Sequence, residues 1–296
     1  MRQVLKRIYY TLRPSAFPDK QCAFLFVFHV EQMYDDTLFQ NLISFCNGFA
    51  EETGVEPICA LMSGANARVR DGAAKAHVSM DTIAGRMHEL AAVATLGYHG
   101  HFWIAPNDFQ EYESEIRCNN FVKASVMQQV ESDLDWFDQY KVPIQPIYSA
   151  GWWFVNSDLL AKLAEKGFGL DFSFSHSPWF RNQFSHRILM TQSIPAGEPF
   201  RIATGQGDIN CVQTLIGCSG PDRIEDFNRN IARLLQRSPR TVMGALCSHD
   251  YDLRVESSLR CISALAKNPS VRILGYQELK AIDTAALRTV RATGSL

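Results

Sequence analysis

The sequence predicts a parallel α/β fold, in which helices cover a central sheet that is either closed or open. Residues 22–30 (CAFLFVFHV) form a continuous apolar run that ends in polar residues, as a buried parallel strand does. Further strand-like segments follow along the chain, and they alternate with segments of helical spacing. There is no internal repeat, low-complexity tract or convincing linker, so a single αβ domain is expected.

The individual elements follow from periodicity and capping signals. Asn156 or Ser157 is the expected N-cap of one helix, and Gly167 its C-terminal stop. The region 176–220 is rich in Gly, Pro, Ser and aromatic residues, and it predicts strands and loops rather than helices. The predicted strands cover residues 22–30, 55–62, 95–103, 143–151, 169–175, 241–250 and 271–276, and the predicted helices cover 36–52, 82–94, 118–140, 156–166, 222–237 and 256–267.

Length and composition predict one domain with short extensions. The chain has 296 residues, and α/β barrels often use about 200–250 residues for one domain, so residues 21–284 are expected to form it. Residues 1–20 are basic and lack the apolar core of a secretory signal; they could equally form a first helix that rests on a membrane surface. No window approaches about 18 consecutive apolar residues, which excludes an ordinary transmembrane helix. Residues 285–296 show little periodicity and predict a mobile tail.

Charge and cysteine content exclude several classes of partner and favour the cytoplasm. Lys and Arg number 29 against 31 Asp and Glu, a net charge of −2, so no global field attracts nucleic acid or an anionic membrane. The eight cysteines are scattered singly without a CxxC pair. Reduced thiols in a cytoplasmic protein are therefore expected. Cys247 stands out because it lies two residues before His249.

Polar residues with metal-binding chemistry follow three of the predicted strands. His29 and Glu31 close the first, His99 and His101 a later one, and His249 a strand near the C-terminus. Residues i and i+2 on a strand project to one face, so each pair can present two donors together. Imidazole nitrogens and a carboxylate oxygen suit a zinc-like ion with one open position. The pattern predicts a divalent metal, most simply zinc, at the C-terminal edge of the sheet, where sites of parallel α/β folds lie.

Several segments resemble the motifs of the polysaccharide deacetylase (NodB-like, carbohydrate esterase family 4 type) superfamily. Residues 146–175 are similar to the middle of such proteins, and residues 26–32 (FVFHVEQ) to their first motif. Residues 97–103 (GYHGHFW) look like the metal-histidine motif, and residues 245–253 (ALCSHDYDL) like the closing motif. The resemblance implies a distorted (β/α) barrel that hydrolyses an N-acetyl group on a sugar.

The resemblance also implies roles for the metal-binding residues. The first motif of the family supplies an acidic base and an acidic metal ligand, so Glu31 keeps the ligand role. His29 stands at the base position, and it is either the base or itself a ligand. His99 matches the first metal histidine. Because Trp103 stands where the second belongs, His101 is the expected substitute.

The later motifs imply the remaining catalytic residues. Ser149 stands where the family has an arginine that orients the base. Asp171 matches the aspartate that follows the helix, and His249 the histidine that protonates the leaving amine after water has attacked the amide carbonyl. His249 and Asp250 could alternatively be an ordinary helix-capping pair.

Aromatic residues near the strand ends suit the apolar faces of a sugar. Trp103, Trp152 and Trp153, together with Gly151, are the expected substrate-binding residues, and Trp179 lies in a following loop. Packing at the barrel rim is the alternative for these rings.

The leading hypothesis is a cytoplasmic, zinc-dependent deacetylase that acts on an N-acetylated sugar, or on a nucleotide- or lipid-linked sugar precursor, in glycan biosynthesis. One alternative is a catalytically degenerate protein that retains only the carbohydrate-binding cleft. Another is an amidohydrolase-type barrel, in which an HxH pair closes the first strand; the pair of His99 and His101 follows at least two predicted strands, which ranks this alternative lower.

Overall fold

The computed structural model describes residues 21–102, 123–177, 184–216, 231–233, 235–236, 241–280 and 287–291. Within these ranges, no helix combines the length and hydrophobicity needed to cross a membrane. The strands are β1 (Cys22–Val30), β2 (Ile58–Leu61), β3 (Thr95–Gly100), β4 (Ile147–Ala150), β5 (Leu170–Asp171), β6 (Phe200–Thr204), β7 (Gly207–Cys211), β8 (Thr214–Ile216), β9 (Val242–His249), β10 (Val271–Ile273) and β11 (Arg288–Arg291). The helices are α1 (Asp36–Thr53), α2 (Ala67–Ala76), α3 (Met80–Leu90), α4 (Lys123–Gln139), α5 (Ser157–Glu165), α6 (Phe184–Thr191), α7 (Val255–Ala266) and α8 (Tyr276–Lys280).

The strands form one curled sheet with the order β11-β6-β7-β5-β4-β3-β2-β1-β9-β8, and β10 pairs with the start of β1. All described pairs are parallel except β6 with β7. The sheet and the surrounding helices make a half-barrel, which confirms the predicted distorted (β/α) barrel.

Strand β1 pairs with β2, β9 and β10, and all nine of its residues are buried. Alternate side chains divide between two cores, because successive residues of a strand point to opposite faces. The rings of Phe26 and Phe28 pack against α1, with centroids 5.1 Å from Phe49 and 5.0 Å from Phe45. Leu25 and its neighbours at odd positions belong to the second core, with residues of β2, β4 and β9. This alternation places His29 on the inner face of the half-barrel.

Four segments differ from the sequence-based expectation. Helix α6 lies in the region 176–220, where only strands and loops were expected, because Phe184, Ile188 and Leu189 together present a buried apolar face. Helix α2 is not predicted from the sequence, and neither is the short helix α8, which begins at the last residue of the predicted strand 271–276. Residues 288–291 of the expected mobile tail instead form β11, which pairs with β6 and buries Val290.

Local capping signals are confirmed around α5. The Asn156 side chain accepts a hydrogen bond from the Leu159 backbone N–H at 2.8 Å, and Gly167 adopts a φ of +85°. The predicted helix at 118–140 is described from Lys123, and most of the predicted helix at 222–237 lies outside the described residues.

Candidate metal centre

The ends of β1, β3 and β9 bring the predicted polar residues together. Strand β1 pairs with β9 so that His29 lies beside His249, and Glu31 follows one residue beyond the end of β1. Strand β3 carries His99, with His101 just after its end. These five side chains are buried, the most exposed being His249 at 9%. Because parallel strands share a carboxyl edge, residues far apart in sequence meet there.

Glu31, His99 and His101 form a group that could hold a metal ion. Glu31 Oε1 lies 3.5 Å from His99 Nε2 and 3.2 Å from His101 Nε2. Ligand atoms of the three residues all lie within 4.8 Å of one another. Two imidazoles and one carboxylate are a common donor set for catalytic zinc. His101 is thus present in the set as the substitute histidine expected from the sequence.

His99 has the tautomer that a metal ligand requires. Its Nδ1 lies 2.7 Å from the Ser149 carbonyl oxygen, which can only accept, so Nδ1 carries the proton. Its Nε2 is buried without a hydrogen-bond partner. Burial lowers the pKa of His99 to about 4, so the ring is neutral at physiological pH. A neutral, oriented imidazole with an unsatisfied nitrogen fits a divalent ion.

Glu31 is held as a carboxylate from several sides. Burial acts to raise its pKa, but the neighbouring His101 holds it well below the usual range of a glutamate. Arg68 Nη1 donates to Oε2 at 2.6 Å, which leaves Oε1 directed at the histidines. This polarity suits a ligand that must be deprotonated to bind a cation.

The loop before α2 supports two members of the group. Asn66 Nδ2 donates to the His101 carbonyl at 2.9 Å, and its Oδ1 caps α2 by accepting from the Arg68 backbone N–H. Ser63 anchors the same loop through a hydrogen bond to Asp133. Sequence reasoning missed these residues, although Asn66 before a helical segment is an N-cap signal.

Gly151 lies against His101 rather than in an open cleft. A Cβ atom at this position would lie 2.4 Å from the His101 ring, so the imidazole occupies the space of a missing side chain. Trp152 and Trp153 follow with φ values of 51° and 53°, in the left-handed region that large residues rarely adopt. Trp153 is buried, with its ring centroid 5.9 Å from that of His29, and Trp152 is half-buried. Trp103 and Trp179 lie outside the described residues.

His29 packs against the group without joining it. Its Nε2 lies 2.8 Å from Ser149 Oγ and 3.2 Å from Cys247 Sγ. Its ring stacks on His99 with centroids 3.9 Å apart. Burial, and then the neighbouring histidines, lower its pKa well below the usual value. Its ring nitrogens are not members of the metal-ligand group.

His249 faces Glu31 from the neighbouring strand. Its Nε2 lies 3.8 Å from Glu31 Oε1, and it is not a member of the three-residue group. It occupies the N-cap position of the short turn Asp250–Asp252 but makes no side-chain cap hydrogen bond. The helix-capping alternative therefore does not describe it.

Asp171 supports a strand end instead of contacting the histidines. Its carboxylate accepts from Ser173 Oγ at 2.5 Å and from the Ser173 backbone N–H at 3.0 Å. Ser173 Oγ accepts in turn from the Ala150 N–H, directly before Gly151. Burial raises the pKa of Asp171 to about 7.

Comparisons with solved structures identify the fold. The chain is similar to a protein from Mycobacterium smegmatis provisionally described as a polysaccharide deacetylase, with a TM-score of 0.59 and 13% identity over 94% of this chain and 95% of that one. It is also similar to 4-alpha-glucanotransferase from Thermococcus litoralis, with a TM-score of 0.55 and 11% identity over 92% of this chain and 42% of that one. No protein-family model and no curated protein sequence matches the chain. The chain thus has a polysaccharide deacetylase fold with divergent sequence, as its motifs predict.

Proposed function

We propose that this protein is a metal-dependent hydrolase that removes an N-acetyl group from a sugar. The observation that carries the proposal is the group of Glu31, His99 and His101, whose donor atoms lie within 4.8 Å, with His249 Nε2 facing the same carboxylate oxygen. The three-residue group supplies the proposed metal site, and His249, which lies outside that group, supplies the proposed proton donor. The unpartnered Nε2 of His99 supports the first of these roles.

The chain's residues would divide the chemistry as follows. Glu31, His99 and His101 would hold zinc, which when bound supplies Lewis-acid activation of water and of the acyl carbonyl. His249 Nε2 would accept a proton from the attacking water and then donate it to the departing amine. His29 supports the site, because its ring stacks on His99 and its Nε2 is engaged by Ser149.

Asp171 and the residues around Gly151 would position the site and its substrate. Asp171, through Ser173 and the Ala150 N–H, holds the backbone that leads into Gly151. Trp152 is half-buried, packs against the core and follows Gly151 directly, and we assign the exposed part of its ring to contact with the apolar face of a sugar.

The substrate we propose is an N-acetylated sugar or a nucleotide- or lipid-linked precursor, used in glycan biosynthesis in the cytoplasm. Cys22, Cys46, Cys59 and Cys211 are buried thiols outside any disulfide, which supports a reducing compartment. Neither a nucleic acid nor a transmembrane anchor is part of this proposal.

Release of acetate from a panel of N-acetyl sugars tests the function. We expect His249→Ala to lower kcat by about 10²–10⁴-fold, the usual contribution of a positioned acid, with zinc content unchanged. Glu31→Ala and His99→Ala should lose the zinc. Lys75→Ala, an exposed change on α2, is the control for expression and handling. Unchanged acetate release by His249→Ala would remove that residue from the mechanism.

One feature favours the alternative of a degenerate carbohydrate-binding protein. The Glu31 carboxylate already has partners on both oxygens, because His101 Nε2 lies 3.2 Å from Oε1 and Arg68 Nη1 lies 2.6 Å from Oε2. The carboxylate itself is therefore satisfied without a cation. Metal analysis separates the two functions, since less than about a tenth of an equivalent of zinc after incubation and gentle purification supports the degenerate protein.

The amidohydrolase alternative finds no support, since the HxH pair belongs to β3 and not to the first strand.

A further inference from the structure

The turn that follows β9 surrounds His249 with three polar or aromatic side chains. Strand β9 ends at His249, and Asp250, Tyr251 and Asp252 form a single 3₁₀ turn directly after it. Each of the three makes a different contact with His249 or with the end of β1. Sequence analysis singled out His249 but assigned nothing to Tyr251 or Asp252.

Asp252 engages the histidine nitrogen that faces away from Glu31. Its Oδ2 lies 3.2 Å from His249 Nδ1, whereas the other ring nitrogen, Nε2, lies 3.8 Å from Glu31 Oε1. Carboxylate oxygens accept hydrogen bonds, so this contact requires the proton of the neutral ring on Nδ1. The hydrogen bond at one ring nitrogen thereby determines which nitrogen is available for chemistry.

Tyr251 restricts the rotation of the same imidazole. Its ring stacks on that of His249 with centroids 4.7 Å apart and an interplanar angle of 18°. A 180° flip of the histidine ring would put Cδ2 in the place of Nδ1 and would break the bond to Asp252. The stacked tyrosine and the carboxylate thus favour one orientation of the ring.

Asp250 ties this turn to the end of β1. Its Oδ2 accepts from the Glu31 backbone N–H at 3.1 Å and from the Gln32 N–H at 2.7 Å, and its Oδ1 accepts from the Tyr251 N–H at 3.0 Å. The side chain is 2% exposed. Buried hydrogen bonds of this kind hold the two chain segments at a constant separation. His249 and Glu31 are therefore positioned relative to each other through the backbone as well as through their side chains.

We propose that Asp252 is the positioning residue of His249: it holds the Nδ1–H tautomer, with Tyr251 holding the ring plane, so that Nε2 is the atom that exchanges a proton with the substrate. The catalytic consequence rests on the proposed function, whereas the tautomer does not. Among the polar side chains described around the site, Asp252 is the carboxylate on His249 Nδ1.

The tautomer of His249 is the first test and needs no substrate. The full-length, zinc-free protein labelled with ¹⁵N-histidine is studied by long-range ¹H–¹⁵N NMR at pH about 8, above the usual pKa of imidazole of about 6.5. His249→Ala assigns the signals by their loss. We expect a protonated Nδ1 and an unprotonated Nε2 in the wild type, and a shift toward the Nε2–H tautomer in Asp252→Ala. A wild-type Nε2–H tautomer, or an unchanged tautomer in Asp252→Ala, would overturn the proposal.

Kinetics provide the second test. With the sugar that the acetate assay identifies, Asp252→Ala should lower kcat about 10-fold or more while KM and zinc content stay unchanged, and Asp252→Glu should restore part of the loss. Glu256→Ala, an exposed carboxylate on α7, is the matched control and should retain full activity. A loss that appears in KM or zinc content and not in kcat would contradict a positioning role. A wild type without acetate release would count against the proposed function alone, because the NMR result decides the tautomer.

Discussion

Gly151 is the residue on which the position of His101 depends most directly. Its Cα lies so close to the imidazole that a methyl group cannot be added without moving the ring. Glycine is needed here because a side chain would collide with the imidazole. Backbone conformation is not the reason, since the φ of Gly151 lies outside the left-handed region that only glycine adopts readily. The sequence suggested a substrate-binding role for Gly151, whereas the structure shows it packed against the ring of His101, a proposed metal ligand.

We predict that Gly151→Ala weakens zinc binding. The new Cβ would lie 2.4 Å from the His101 ring, so the imidazole must shift from its place in the ligand group, and the dissociation constant should rise about 10- to 100-fold. Competition with a chromophoric chelator measures it. Gly169→Ala is the matched control, since a Cβ there meets nothing within 4 Å. Equal zinc affinity in both variants would contradict the proposed role of His101 as a ligand.

At the scale of secondary-structure elements, Asp133 joins α4 to the loop that supports the site. Its carboxylate accepts hydrogen bonds from Ser63, from Tyr98 Oη at 2.7 Å and from Gln129 Nε2 at 2.7 Å. Burial raises its pKa to about 6, despite these donors. The loop beginning at Ser63 continues to Asn66, which contacts His101, so α4 is connected to the candidate metal centre through one intervening segment.

We predict that Asp133 makes the protein less stable as the pH rises from about 4 to about 6. Its pKa is raised on folding, so the native state binds the proton more tightly than the unfolded chain, whose aspartates titrate near about 3.9. The stabilisation is complete below that value and is lost as the pH passes the folded pKa of about 6. Urea unfolding at several pH values measures the effect. In Asp133→Asn, the free energy of unfolding should fall less steeply with rising pH than in the wild type. The two slopes should differ by up to about 1.4 kcal/mol per pH unit. Identical slopes in variant and wild type would show that Asp133 does not titrate in this range.

At the scale of the whole molecule, the candidate ligands join distant parts of the half-barrel. Glu31 follows β1, whereas His99 and His101 belong to the end of β3, and β2 lies between these two strands in the sheet. An ion bound by all three would cross-link the carboxyl edge of the sheet. The unfolded chain does not hold the three ligands together, so binding should stabilise the native state.

We predict that zinc raises the melting temperature of the wild type. At about 100 times its dissociation constant, a ligand specific for the native state adds about 2.7 kcal/mol, which corresponds to about 5–10 °C for a chain of this size. Calorimetry in zinc and in chelator measures the shift. Glu31→Ala and His99→Ala should show no shift, and magnesium, which prefers oxygen ligands, should have little effect on the wild type. An equal zinc shift in Glu31→Ala would place the ion elsewhere.

The order of strands and helices was largely predictable because it follows from local signals. The apolar run of β1, the N-cap Asn156 and the stop at Gly167 all act within a few residues of the chain. Helix α6 was missed because the glycine, proline and serine content of its surroundings concealed a short apolar face. Strand β11 was missed because a four-residue strand at a sheet edge depends on its partner β6 for its structure.

The sequence by itself determined the chemistry that is available at the strand ends: a carboxylate and four histidines, spaced so that neighbouring pairs share one face. The tertiary structure decided which of them meet. It directs His29 toward Ser149, 120 residues away, groups Glu31 with His99 and His101, and adds Arg68 to the carboxylate. The physical reason is that side-chain periodicity is a property of one strand, whereas the distance between two strand ends depends on sheet order and register, which arise from packing of the whole chain.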